Sequence, residues 1–156
     1  MEVRLLIIFF ILLLTACDDD FSQPNMAYYV PDYIPIKNLL YTKAELITCA
    51  VNIFDIGESF KKQYSHYIEN SNLPKSQNNS YLPWERTPID GDYEKGGLVH
   101  ITIMSAQYCF DDDKEIQTYF NQSVASKNNF FTYSEPGDMV LIYVQKDNRL
   151  IVLETN

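Results

Sequence analysis

The residues able to do chemistry are sparse and poorly grouped. There are two histidines, His66 and His100, and neither has a second His, Cys or acid at metal-ligand spacing. The chain has no Gly-x-Ser-x-Gly, no phosphate-binding glycine loop, no dinucleotide glycine pattern and no His-Glu-x-x-His. Asp90 and Asp92 flank Gly91. Paired carboxylates can serve acid–base work, as in glycoside hydrolysis, but neighbours in a glycine-containing loop are by default solvated acids. The segment opening with Asp111-Asp112-Asp113 lacks the sixth-position Gly and twelfth-position Glu of a calcium loop. Those three aspartates read instead as the acidic N-terminus of a helix. Cys49 and Cys109 form no Cys-x-x-Cys, and neither has an adjacent His or Lys to activate a thiolate. The expectation is therefore no enzyme, no catalytic residue, no cofactor and no metal.

The third cysteine gives the clearest signal. Arg4 precedes an apolar run from Leu5 to Leu14, and small residues follow at Leu14-Thr15-Ala16-Cys17. A charged start, about ten apolar residues and a small-residue cut site make a secretory signal peptide over residues 1–16. The run is too short for a membrane span, which needs roughly 20 apolar residues, and it meets Asp18-Asp19-Asp20. Leu14 to Cys17 resembles the lipobox of bacterial lipoproteins, a likeness confined to the first 17 to 20 residues. The resemblance implies cleavage before Cys17 and acylation of that cysteine, including its thiol. Two or three acyl chains hold a protein on a membrane stably, at about 0.8 kcal/mol per buried methylene. Asp18 and Asp19 resemble the sorting signal that keeps such lipoproteins at the inner membrane, facing the periplasm.

Composition narrows the partners. Without residues 1–16 about 140 residues remain, enough for one domain with a real core. Glu2 and Arg4 leave together, so the net charge stays −9. That charge argues against nucleic acid, which needs a basic footprint, and against anionic lipid beyond the anchor. It suits a cationic protein partner, or simply keeps an exported domain soluble. With Cys17 taken by lipid, Cys49 and Cys109 are an even pair in an oxidising compartment, which predicts a disulfide.

The elements follow from periodicity. Residues 17–38 read as a lipidated tether and extended lead-in, held open by Pro24, Pro31 and Pro35. Its second half is apolar enough to lie against the domain. Thr42-Lys43-Ala44-Glu45 has the form of a capping box, and the stripe Leu46, Ala50, Ile53, Phe54, Gly57, Phe60, Tyr64, Tyr67 and Ile68 predicts a helix to about Asn70. Residues 71–97 read as a long loop. Leu98 to Phe110 alternates as a strand, with Val99, Ile101 and Ile103 on one face, so the disulfide is expected to join a helix to a strand. A second helix is predicted over 113–125. Strands are predicted at 130–134, 139–145 and 150–154, with a type II turn at Glu135-Pro136-Gly137-Asp138 and a tight turn at Asp147-Asn148. Val144 should oppose Ile151, and Ile142 should oppose Leu153. The predicted fold is α+β: a mostly antiparallel sheet of about four strands with two helices on one face, in one domain over 39–156.

Two functional readings lead, with a small-molecule binder, which needs a concave apolar pocket, as a third. One is a protein-binding lipoprotein, which in address, size and charge resembles immunity proteins against envelope-targeted toxins; its partner would be a cationic secreted toxin. The other is an accessory subunit of an envelope assembly or secretion complex. The expected binding surface is the long loop: Tyr81, Trp84, Glu85, Arg86, Asp90 and Asp92. Trp and Arg are frequent interface anchors; the competing reading is that Trp84, the only tryptophan, plugs the edge of the core.

Overall fold

The computed structural model describes residues 25–45, 49–62, 81–89, 93–110 and 112–155, with the side chains of 93–96 left aside. The signal peptide, Cys17, Asp18, Asp19, His66, residues 71–80, Asp90, Asp92 and Asp111 lie outside these residues.

Among the described residues six strands make one sheet: β1 (Ile36–Glu45), β2 (Cys49–Ile56), β3 (Glu85–Arg86), β4 (Phe130–Tyr133), β5 (Met139–Val144) and β6 (Arg149–Glu154). Their order is β1-β2-β6-β5-β4-β3, and every neighbouring pair is antiparallel. Helices α1 (Tyr93–Cys109) and α2 (Lys114–Ala125) complete the α+β fold. The class agrees with the sequence reading, but the strands number six rather than four.

Two elements exchange type. Over 43–56 the predicted helix is instead strands β1 and β2, while residues 58–62 are helical as expected and 63–70 lie outside the described residues. Cys49, Val51 and Ile53 point to one side of the sheet, while Ala50 and Phe54 point to the other, and all are buried. A central strand enclosed on both faces reads as a continuous apolar run, in which a helical stripe appears by coincidence. The predicted strand at 98–110 is instead α1. Thr102 sits in its buried face, with its hydroxyl oxygen 2.9 Å from the carbonyl oxygens of both Leu98 and Gly137.

The C-terminal half follows the sequence more closely. Asp113 caps α2, accepting from the Ile116 amide at 3.1 Å. Strands β4 to β6 lie where alternation places them. The turn before β5 closes one residue earlier than expected, by the Gly137 amide donating to the Ser134 carbonyl at 2.8 Å. Gly137 has φ 86°, and a Cβ there would stand 3.1 Å from that of Leu98. The β5–β6 register also moves by two residues: Val144 faces Arg149, and Ile142 faces Ile151. Residues 145–148 form the loop, and Asn148 supplies its left-handed residue at φ 54°.

The sheet divides the core in two. One face packs Val51, Ile53, Val140, Ile142, Ile151 and Leu153 against Val99, Ile103, Ala106 and Cys109 of α1 and Phe120 of α2. The other face packs Ala50, Phe54, Leu141, Tyr143, Leu150 and Val152 under the N-terminal strap, through Met26, Val30 and Ile34. Phe60 and Trp84 complete that second layer.

Candidate functional site

The disulfide pairs the predicted cysteines but joins the opposite elements. Cys49 opens strand β2 and Cys109 ends helix α1, with their Cα atoms 6.2 Å apart. Both sulfurs are joined in the disulfide, as the cysteine pairing predicts.

The segment 81–89 runs beside β4 rather than as an open loop. Tyr81 forms a bridge with Ser134, the Leu82 amide donates to the Tyr133 carbonyl at 2.9 Å, and the Thr132 hydroxyl donates to the Leu82 carbonyl at 2.5 Å. These bonds sort the expected binding residues. Tyr81 turns inward, its hydroxyl donating to the Tyr29 carbonyl at 2.8 Å, and burial pushes its pKa well up. Trp84 is buried in the second core layer, its indole N–H 3.2 Å from the Tyr33 hydroxyl. It plugs the core and offers no ring to a partner. Glu85 and Arg86 stay exposed on β3, with the Arg86 guanidinium 5.1 Å over the Phe130 ring. At that edge the sheet ends in a strand of only two residues.

Among the described residues, two acidic groups meet near the end of the sheet. Glu154 is pushed upward by burial and then by Asp138, while Asp138 accepts from the Ser134 hydroxyl at 2.5 Å. Asp112 lies 3.5 Å from Lys43 on the surface. Among the described residues no three His, Cys, Asp or Glu side chains gather where a metal ion could bind. No described helix is long and apolar enough to cross a membrane.

The surface that the sequence reading missed lies on α1. Leu98, Ile101, Met104 and Tyr108 are exposed along its outer side. The strand reading placed Ile101 beside Val99 and Ile103 on a core face, and so concealed it. The available signal was the run from Gly96 to Phe110, fifteen residues without Asp, Glu, Lys or Arg. No family model, no curated protein and no solved structure matches this chain.

Proposed function

We propose that this chain is a lipoprotein anchored through Cys17 at the inner membrane, facing the periplasm, that binds a protein partner as an immunity or inhibitor protein against an envelope-targeted toxin. The observation that carries the address is Leu14-Thr15-Ala16-Cys17 behind a short apolar run, followed by Asp18 and Asp19. Partner binding draws support from the frame. A disulfide ties the helical layer to the sheet, and a stiff frame lowers the ordering cost of association. The net charge of −9 favours a cationic partner. Among the described residues of the expected surface, Glu85 and Arg86 are exposed.

The address is tested by mass spectrometry of the mature N-terminus. Lipid on Cys17 in the native protein, and its loss with retention of 1–16 in Cys17→Ala, is expected; an unmodified Cys17 removes the reading. The partner is tested by crosslinking the anchored protein and identifying what purifies with it. A single secreted toxin, lost in a Glu85→Lys/Arg86→Glu variant, supports the immunity role. A resident envelope complex instead makes the chain an accessory subunit.

A further inference from the structure

Helix α1 is apolar on two sides. Its inner side is buried against β2, β5 and β6 through Val99, Ile103, Ala106 and Cys109. Its outer side carries Leu98, Ile101, Met104 and Tyr108, exposed at 45, 50, 41 and 60%. Steps of three, three and four residues return to one helix face, and at 1.5 Å per residue the stripe is about 15 Å long. A solvated helix face is ordinarily polar, and a helix that is apolar all round is ordinarily enclosed. Contiguous exposed apolar surface marks an interaction site.

We propose that the outer face of α1 docks an amphipathic helix of a protein partner, apolar along its centre and basic at its ends. This rests on the partner-binding reading and adds a surface to it. The charges set the partner's chemistry. In the second turn of α1, Gly137 packs on Leu98 and Val99, two residues from the exposed Glu135, while Glu94 and Lys95 of the first turn cancel in formal charge. Beyond Tyr108 stands Asp112, its side chain 95% exposed. Lys43 is 3.5 Å from Asp112 and 3.8 Å from Glu45, and Lys114 stands between Asp113 and Glu115, so four acids against two lysines keep that end net acidic. The stripe is therefore uncharged between two acidic ends.

The same charges disfavour a second copy. Paired with itself in either direction, α1 sets an acidic end against an acidic end. A bilayer is disfavoured by position. Asp18 to Asn25 is eight residues, a reach of about 30 Å from Cys17 to Met26 when fully extended. Met26 packs under the sheet face opposite α1. Strap, sheet and helix are layers spaced by about 10 Å each, so turning the stripe onto the membrane consumes nearly the whole tether.

The test uses the full chain, anchored in its own cells, with a photo-crosslinking amino acid at Tyr108. The same group at Lys146, on the β5–β6 loop, is the control. The expected product is one adduct with a secreted protein, formed at position 108 and not at 146. Its crosslinked peptide should show an apolar helical stripe ended by Lys or Arg. Met104→Asp should cut the yield by about tenfold, as loss of a central contact does, while the disulfide and melting temperature stay as in the parent. An adduct of twice the chain mass, an adduct with lipid, a peptide lacking basic residues, or equal yield from Met104→Asp each overturns the proposal. A partner that still purifies equally with Met104→Asp leaves partner binding standing and removes only this surface. Absence of any protein adduct from probes at both Tyr108 and Arg86 removes the partner-binding reading itself.

Discussion

Asn148 combines a backbone role with a side-chain role. It takes φ 54° in the β5–β6 loop, a conformation that costs most residues roughly 1–2 kcal/mol and that Asn tolerates. Its amide group donates to the Ile56 carbonyl, its side-chain oxygen accepts from the Tyr143 hydroxyl at 3.3 Å, and its carbonyl accepts from the Ile56 amide at 3.1 Å. The two roles separate by substitution. Asn148→Gly keeps the conformation and loses the side-chain bonds, at about 2 kcal/mol. Asn148→Ala loses both, at about 3 kcal/mol. Urea unfolding distinguishes them, and equal losses would show that the left-handed backbone costs Ala nothing here. The sequence located a turn at Asp147-Asn148, but the bond to Ile56 was hidden because Ile56 lay in a predicted helix. Glu154 gives a prediction of opposite kind. Burial and Asp138 raise its folded pKa, so its contribution to stability is present below the unfolded carboxyl pKa and is lost as pH rises through the folded one. Glu154→Gln should therefore be more stable than the parent at pH 7, with the difference closing near pH 4. Thermal melts at the two pH values decide it, and a pH-independent difference sinks the assignment.

At the scale of elements, α1 and β2 show why periodicity exchanged their types. In α1 the inner positions Val99 and Ile103 and the outer positions Leu98, Ile101 and Met104 are all apolar. Two stripes on different sides of one helix fill the gaps of a 3.6-residue period and leave the alternating Val-His-Ile-Thr-Ile-Met to imitate a strand. In β2 the cause is burial from both sides. By contrast, α2 has one buried side, ending in Phe120 and Ser123, and a capping Asp113, and it was legible from sequence. A sharp test follows. In a strand, Ile101 and Ile103 share a face and should respond alike. In the helix they do not. Ile103→Ala should cost about 2–4 kcal/mol, whereas Ile101→Ala should stay within about 0.5 kcal/mol, as for a surface position. Matching losses in urea unfolding would return this segment to the sheet. The missed binding surface has the same origin, since the residues that conceal the helical period are those facing outward.

For the whole molecule, the fold is a sheet whose two core layers are closed by different parts of the chain. The strap through Met26, Val30 and Ile34 closes one, and α1 with α2 closes the other. Only β4, β5 and β6 were legible as sheet, because β3 is recruited by a partner distant in sequence, while β1 and its neighbour β2 carry an apolar spacing that imitates a helix. The disulfide was legible as a pair because it depended on cysteine count and compartment, which do not require the elements to be right. It links β2 to the end of α1 across 60 residues, and so fastens the helical layer to the sheet. On the chain-entropy account its main action is on the unfolded chain, where a loop of that length is worth about 4 kcal/mol. Cys49→Ala/Cys109→Ala should lower the unfolding free energy by about that amount. It should also steepen the dependence on urea, because the unlinked chain exposes more surface when it unfolds. An unchanged slope with a large loss would place the effect in the native packing of Cys49 and Cys109 instead. An unchanged midpoint would mean that the sheet and the inner face of α1 hold the helical layer without the crosslink.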